Sequence, residues 1–253
     1  MKRYVETSFF PYGTQYYRAP TPLPEEWAED LREIARCHYT HVQFRPQWRW
    51  HERIRGKYCW DDLDRLCDLA HRNGLRVIIK SMLETAPDWV FNELDGFRIG
   101  FHHRPIEPIS HAAFYVGGWL PCFDNPQVRQ AAFEFNRHLA ERYKDHPALW
   151  FFNAWNEPRS RPLGECHCSH SVASYRKWLT IEPAVCSGFD FHDDMQALTT
   201  RPDHRLDRQM QVFDFCPLLL FRELVRLNQS VSETCHIGIA GSRASDLSSD
   251  RVH

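Results

Sequence analysis

An amide and a carboxyl side chain stand side by side where an aromatic segment of the chain ends. The segment reads WFFNAWNEP, from Trp150 to Pro158, and its bulky residues are typical of a buried β-strand. Asn156 and Glu157 come directly before the proline. Apolar surroundings, here expected from Phe152 and Trp155, raise the pKa of a carboxyl group, which suits a general acid at neutral pH. The alternative is a structural glutamate that caps a helix or pairs with a nearby arginine.

A second group of chemically active side chains lies in the sequence GECHCSH. It brings Cys166 and Cys168 close together in sequence, interleaved with His167 and His170. Thiolates and imidazoles are the ligands that zinc selects, and a structural zinc site uses about four of them. The alternative is free thiols on a loop.

The composition argues against several classes of partner. The 253 residues carry a formal net charge of -2 and no block of like charges, so a nucleic-acid partner is not expected. The first residues lack the apolar run of a secretory signal, and no stretch of about 18 apolar residues predicts a membrane span. Nine cysteines, most of them isolated, disfavour a disulfide framework. The expectation is a cytoplasmic protein without a membrane partner.

Strands and helices alternate along the chain. Helices are predicted in EEWAEDLREIARC, WDDLDRLCDLAHRNG and FDNPQVRQAAFEFNRHLAERY, where apolar residues recur with helical spacing. Strands are predicted in THVQFRP, LRVIIKS, ALWFFNAW and HIGIAG, and the first strand in Val5 to Phe10. Residues 181–235 are expected to form an extended loop and a helix that begins at Pro217. Such alternation predicts a parallel sheet.

A parallel sheet can stay open and doubly wound, or it can close into a barrel. The glycine-rich phosphate fingerprint of a dinucleotide-binding fold is missing after the first predicted strand, where FFPYGTQYYRAPTPLP holds a single glycine. Long aromatic loops after the strands fit a barrel whose active site lies at the carboxyl ends of the strands. We therefore predict the α/β class and a (β/α)8 TIM-barrel fold, of which only about the first five βα units are present.

Several segments, in order and spacing, resemble the catalytic domain of glycoside hydrolase family 42, the β-galactosidases. They are PEEWAEDLREIA, WDDLDRLCDLAHRNGLRVII, PCFDNPQVRQAAFEFNRHLAERYKDHPALWFFNAWNEP and CHCSHSVASYRKWL. NAWNEP alone resembles the acid/base motif of a larger clan of retaining barrel hydrolases. The resemblance covers roughly residues 4–180, and more faintly the segment from Pro217 to Asp246. It implies one catalytic barrel domain over residues 1–253, incomplete at its C-terminus.

The resemblance implies removal of terminal β-D-galactose from β-galactosides with retention, and no cofactor for the chemistry. Glu157 would be the general acid/base, and Asn156 would bind the sugar. The clan's nucleophile ends the seventh strand, a place that neither Glu223 nor Glu233 occupies, so the nucleophile is expected beyond the end of this chain. The alternatives are a clan member acting on β-glucosides or β-mannosides, and an inactive carbohydrate-binding remnant.

A zinc site is also implied by the resemblance. Some family members have a cysteine ahead of the third helix and a Cys-x-Cys-x-x-Cys segment after the fourth strand. The matching residues here are Cys122, Cys166 and Cys168, while Ser171 occupies the last position. His170 is next to that position and could supply the fourth ligand instead.

Two further sugar contacts are expected. An arginine of many family members corresponds to Gly118 here, so either Arg45 at the end of the second strand contacts the sugar in its place or the subsite differs. Trp155 is expected to stack on a sugar ring, and the alternative is that it packs in the core. Family members are often trimers, so a homo-oligomer is the expected assembly.

Overall fold

The computed structural model describes residues 10–100, 102–106, 120–156, 166–181 and 236–240, which contain five strands and six helices. The strands are β1 (Gly13–Arg18), β2 (His41–Arg45), β3 (Arg76–Lys80), β4 (Leu149–Asn156) and β5 (His236–Ala240). The helices are α1 (Trp27–Arg36), α2 (Trp48–His51), α3 (Asp61–Arg72), α4 (Asp88–Leu94), α5 (Pro126–Tyr143) and α6 (Ser169–Ile181). Within these ranges, no helix is both long enough and apolar enough to cross a bilayer.

The five strands form one sheet in the order β1-β2-β3-β4-β5, and every neighbouring pair is parallel. The register places Val42 beside Val77 and Ile79 beside Phe152. Because the strands are parallel and follow one another in sequence order, their carboxyl ends all lie at the same edge of the sheet. This is the strand arrangement of a (β/α) barrel, and it confirms the predicted fold class.

One face of the sheet packs against the helices and forms the core. Strand residues on this face are almost completely buried: Val42, Phe44, Val77, Ile79 and Phe152. The helices contribute Trp27, Leu31, Leu63, Leu66, Phe135 and Leu139 to the same cluster. Because side chains alternate along a strand, the intervening residues point to the opposite face, which we call the inner face. It carries Gln43, Arg45, Ile78, Lys80, Phe151 and Asn153.

Helix α5 begins where the sequence predicts. The Asn125 side chain accepts hydrogen bonds from the backbone N–H groups of Gln127 (3.0 Å) and Val128 (3.5 Å), and Pro126 is the first helical residue. The same side chain donates a hydrogen bond of 2.7 Å to the carbonyl of Leu94, the last residue of α4. Asn125 therefore both caps α5 and joins it to α4.

The first strand differs from the prediction. Strand β1 is Gly13–Arg18, inside the segment that was expected to be a loop, while Phe10 belongs to no strand and residues 1–9 lie outside the described part. A register shift between Gln15 and Tyr17 breaks the two-residue alternation that marks a strand in sequence. The ring of His41 occupies the position of a Cβ atom on Gly13, so a larger residue there would have to displace this ring.

The other predicted strands and helices that fall in described residues are confirmed, including β5 at HIGIA. The expected loop and helix of residues 181–235 lie outside the described residues beyond Ile181, and so does Glu157. The incomplete domain over residues 1–253 remains a prediction.

Replacing Asn125 with alanine is expected to lower the free energy of unfolding by about 1–3 kcal/mol, because the cap of α5 and the bond to Leu94 are both lost. Urea unfolding followed by circular dichroism measures this. Exposed Asn92 on α4 offers the control, since Asn92→Ala removes an amide of the same size from a surface position. Equal stability of the two variants would contradict the capping role.

Candidate active site at the carboxyl ends of the strands

The chain segments that follow β2 and β3 remain paired beyond the strands. The N–H of Met82 donates to the carbonyl of Pro46 (3.0 Å), and the N–H of Arg49 donates to the carbonyl of Thr85 (2.8 Å). The amide of Gln47, which is buried, donates 2.9 Å to the carbonyl of Ala19, just after β1. These bonds fix the loops after three neighbouring strands against one another, so the side chains that they carry are held in place.

Three polar side chains form a row across the inner face at this edge. Lys80 pairs in register with Asn153, and Arg45 follows Phe44, which pairs with Ile79. The three residues therefore lie side by side on β2, β3 and β4. Lys80 is only 1% exposed and Asn153 only 4%, so charged and amide groups occupy the inner face where the strands end.

A carboxyl group completes this arrangement. Glu84 lies in the turn after β3, and burial raises the pKa of its side chain to about 7, although the nearby charges of Lys80 and Arg45 oppose the rise. The carboxyl group of Glu84 therefore lies close to the ends of β2 and β3. Its Oε2 atom is buried and has no hydrogen-bond partner within the part of the chain that the structure describes.

The predicted site residues on β2 and β4 lie at this edge. Arg45 is the last residue of β2, and Asn156 is the last residue of β4, where its backbone is in register with Ala240 of β5. Trp155 is the second-last residue of the same strand. Glu157 follows Asn156 in the chain but lies outside the described residues.

The structure places Phe152 in the core, whereas Glu157 itself lies outside the described residues. Phe152 was expected to supply apolar surface beside the carboxyl group, but it is 3% exposed and belongs to the core between the sheet and the helices. Strand alternation places Asn153, and not Phe152, on the inner face. The inner face beside β4 is consequently more polar than the aromatic sequence suggests.

Three predicted cysteine ligands come together in a second site. The Sγ atom of Cys122 lies 3.5 Å from that of Cys168 and 3.7 Å from that of Cys166, and the three sulfurs are within 4.8 Å of one another. Tetrahedral zinc with bonds of about 2.3 Å separates its sulfur ligands by roughly 3.8 Å. The three thiols therefore fit a metal ion of that geometry.

The fourth position of this cluster is occupied by Ser171. Its Oγ atom lies 3.4 Å from the Cys122 sulfur and 3.5 Å from the Cys168 sulfur, and the residue is buried. His170 is exposed, so the structure does not favour it as the fourth ligand. A hydroxyl group thus stands where a fourth thiolate or imidazole would complete the usual zinc set.

The thiols interact strongly with one another. Hydrogen bonds with Cys166 and Cys168 raise the pKa of the Cys122 thiol, and hydrogen bonds from Cys122 and Cys166 lower the pKa of Cys168. The backbone N–H of Ile99 also points at the Cys166 sulfur at 3.4 Å, so the cluster links three separate chain segments.

Sequence reasoning missed Lys80, Glu84 and Asn153. The lysine that ends the apolar run VIIK could have indicated this site, because a lysine is rarely buried in a strand unless its charge is paired. Glu84 gave no such signal, since its burial depends on the pairing between the loops after β2 and β3.

Comparison with known proteins identifies relatives that are named β-galactosidases. The sequence model of the family described as glycoside hydrolase 42, β-galactosidase, matches residues 16–182. A β-galactosidase from Clostridium perfringens is 29% identical over 163 residues, which are 62% of this chain and 22% of the relative. A β-galactosidase from Bacillus licheniformis is 30% identical over 165 residues, 62% of this chain and 23% of the relative. The chain thus spans about a quarter of the length of the curated relatives that it matches.

Solved structures give the same fold. The β-galactosidase from Bacillus circulans sp. alkalophilus superimposes with a TM-score of 0.72 at 19% identity, covering 91% of this chain and 36% of that one. The enzyme from the psychrophilic Marinomonas ef1 gives a TM-score of 0.70 at 22% identity, covering 91% and 37%.

The carboxyl group of Glu84, whose Oε2 atom is buried, predicts a pH dependence of stability. Its pKa of about 7 in the folded protein exceeds the ordinary value of 4.5, so the folded state holds the proton more tightly. Stability is therefore expected to fall as the pH rises from about 4.5 to about 7, by on the order of 2–3 kcal/mol from this group.

Glu84→Gln removes the group and should flatten this part of the stability profile, as measured by urea unfolding at about pH 5 and about pH 8. Glu93→Gln, at an exposed position on α4, is the matched control and should retain the slope of the unsubstituted protein. Parallel profiles for Glu84→Gln and the unsubstituted protein would refute the assignment.

Proposed function

The chain belongs to glycoside hydrolase family 42, the β-galactosidases, and we propose that it forms part of a retaining hydrolase that removes terminal β-D-galactose from β-galactosides. The observation that carries the proposal is the position of Asn156. It is the last residue of β4, at the edge where five parallel strands present their carboxyl ends, and Glu157 follows it directly in the sequence. Active sites of (β/α) barrels are built at this edge.

Glu157 is the general acid/base of the proposed reaction. Its carboxyl proton goes to the glycosidic oxygen as the bond to the anomeric carbon breaks, and the resulting carboxylate later takes a proton from the water that releases the sugar. A second carboxylate, about 5–5.5 Å away, attacks the anomeric carbon and forms the covalent intermediate. Family resemblance puts that group at the end of the seventh strand, and we assign it to no residue of this chain.

Asn156, Arg45 and Trp155 are the proposed sugar-binding residues. Arg45 lies on the inner face beside Lys80, which supports a role for its guanidinium group as a donor to sugar oxygens. The amide of Asn156 would bind the hydroxyl group next to the reacting carbon. Trp155 precedes it on β4 and would supply an aromatic face for the sugar ring.

Two other functions are kept as alternatives. One is hydrolysis of β-glucosides or β-mannosides, because the Asn-Glu-Pro motif is common to the wider clan. The other is carbohydrate binding without turnover, which a chain lacking the attacking carboxylate would retain.

Cys122, Cys166 and Cys168 are proposed to hold a structural zinc ion. Their mutual distances support this, because the three sulfur atoms lie within 4.8 Å of one another. With Ser171 in the fourth position, water or the serine hydroxyl would complete the coordination. The ion would hold the loop before α5 against the loop before α6, and it takes no part in the chemistry.

A cytoplasmic location and a homo-oligomer, such as a trimer, complete the proposal. The described cysteines are all free thiols, which supports a reducing compartment. The sugar is the only other partner proposed.

Assays of the whole hydrolase of which this chain is proposed to form part, with nitrophenyl β-galactoside, β-glucoside and β-mannoside, test the function. We expect turnover of the galactoside to exceed that of the other two. Glu157→Gln should lower galactoside turnover at least 100-fold, an estimate on the order of the loss of a general acid/base, and leave galactose binding largely intact. Glu141→Gln, at a half-exposed position on α5, is the control and should leave turnover unchanged.

Each result separates the alternatives. Galactose binding without turnover in the unsubstituted whole hydrolase supports the binding remnant, and equal rates on galactoside and glucoside support the wider clan. Turnover that survives Glu157→Gln would refute the assignment of the general acid.

Elemental analysis of the purified chain tests the metal site, and we expect about one zinc ion per chain. Cys122→Ser should lose the ion, whereas Cys59→Ser, at an exposed cysteine, should retain it. Ser171→Cys should slow the loss of zinc to a chelator, because it supplies the missing thiolate. A zinc content that is the same in Cys122→Ser and the unsubstituted chain would contradict the proposal.

A further inference from the structure

Two buried acceptor oxygens lie at the candidate active site. They are Oε2 of Glu84 and Oδ1 of Asn153, and neither has a hydrogen-bond partner among the residues that the structure describes. Asn153 is 4% exposed, so bulk water does not reach most of its side chain. Buried polar atoms in folded proteins are nearly always paired, because an unpaired one costs about 1–3 kcal/mol.

The two oxygens belong to neighbouring parts of the sheet, since Glu84 follows the end of β3 and Asn153 lies on β4 three residues before its last residue. Asn153 is in register with Lys80, the last residue of β3, and the carboxyl group of Glu84 lies near both Lys80 and Arg45. Strand alternation turns Asn153 toward the inner face, away from the core formed with the helices. Both acceptors therefore lie where a barrel hydrolase binds its substrate.

Neither oxygen has an obvious structural task. On the helix side, the buried Ser81 donates a hydrogen bond of 2.6 Å to Oδ1 of the buried Asn136 and so joins the end of β3 to α5, although Nδ2 of Asn136 is unpaired among the described residues. Gln47, equally buried, bonds the carbonyl of Ala19 and joins two loops. By contrast, Oε2 of Glu84 and Oδ1 of Asn153 form no hydrogen bond that connects two strands, helices or loops of the described residues. This arrangement is expected of groups that bind a ligand.

We propose that Glu84 and Asn153 bind substrate hydroxyl groups and act as specificity-determining residues on the β3–β4 side of the site. The inference rests on the proposed function and adds two sugar contacts to it. A carboxylate and an amide oxygen accept hydrogen bonds, so the ligand must bring donors. A sugar ring with free hydroxyl groups satisfies this requirement, whereas a ring with a hydrogen in place of the relevant hydroxyl does not.

Calorimetric titration with galactose and with each of its monodeoxy derivatives tests the pair. Glu84→Gln is expected to weaken galactose binding by roughly tenfold or more, because one hydrogen bond to a charged acceptor is lost. One of the monodeoxy sugars should bind the unsubstituted chain and Glu84→Gln with equal affinity, because that sugar lacks the hydroxyl group that would donate to Glu84. Asn153→Leu should give the same pattern with a different monodeoxy sugar.

The melting temperature distinguishes a binding role from a structural one. Glu84→Gln at about pH 8 should melt no lower than the unsubstituted chain, because it removes a carboxylate whose burial is unfavourable. Glu93→Gln serves as the control and should change neither the melting temperature nor galactose binding.

Three results would overturn the inference. Unchanged galactose affinity in both variants would refute the sugar contacts and leave the proposed function standing. A lower melting temperature of Glu84→Gln, with the same loss of affinity for galactose and every monodeoxy sugar, would mark Glu84 as structural. An unsubstituted chain that binds no galactose would overturn the proposed function, and this inference with it.

Discussion

The alternation of side chains along parallel strands is the constraint on which the rest of the structure depends. Val42, Phe44, Val77, Ile79 and Phe152 are buried between the sheet and the helices. Once these residues face the helices, the residues between them must face the other way. A shift of one strand by a single residue would exchange the two faces, so burial of the apolar set also fixes where the polar groups lie.

The polar groups on the inner face are costly to bury, and this cost indicates their purpose. Lys80 is almost fully buried, and the carboxyl group of Glu84 has a pKa well above its ordinary value despite two nearby cations. A sequence selected for stability alone would place apolar residues there, since buried ion pairs seldom stabilise more than well-packed hydrophobic side chains. Natural proteins accept such costs at functional sites, where the charges are needed for a ligand.

The sequence predicts those parts of the fold that depend on local patterns. The start of α5 could be read from Asn125 and Pro126, and β3 from its apolar run. Strand β1 could not be located, because its bulge removes the alternation and its glycine resembles a turn. Cys122, Cys166 and Cys168 could be grouped through family resemblance, but the choice between His170 and Ser171 depends on which face of α6 turns toward the thiols. Glu84 depends on hydrogen bonds between two loops distant in sequence, which no local pattern records.

The central claim is that a galactoside binds where β2, β3 and β4 end, and hydrogen exchange in the presence of galactose tests it most directly. The account predicts that galactose slows exchange of backbone amides in residues 44–47, 80–85 and 153–156, while exchange in the helices α1, α3 and α5 is unaffected. Slower exchange confined to the cysteine cluster or to the outer helices would contradict it, and so would exchange that galactose leaves unchanged throughout the chain.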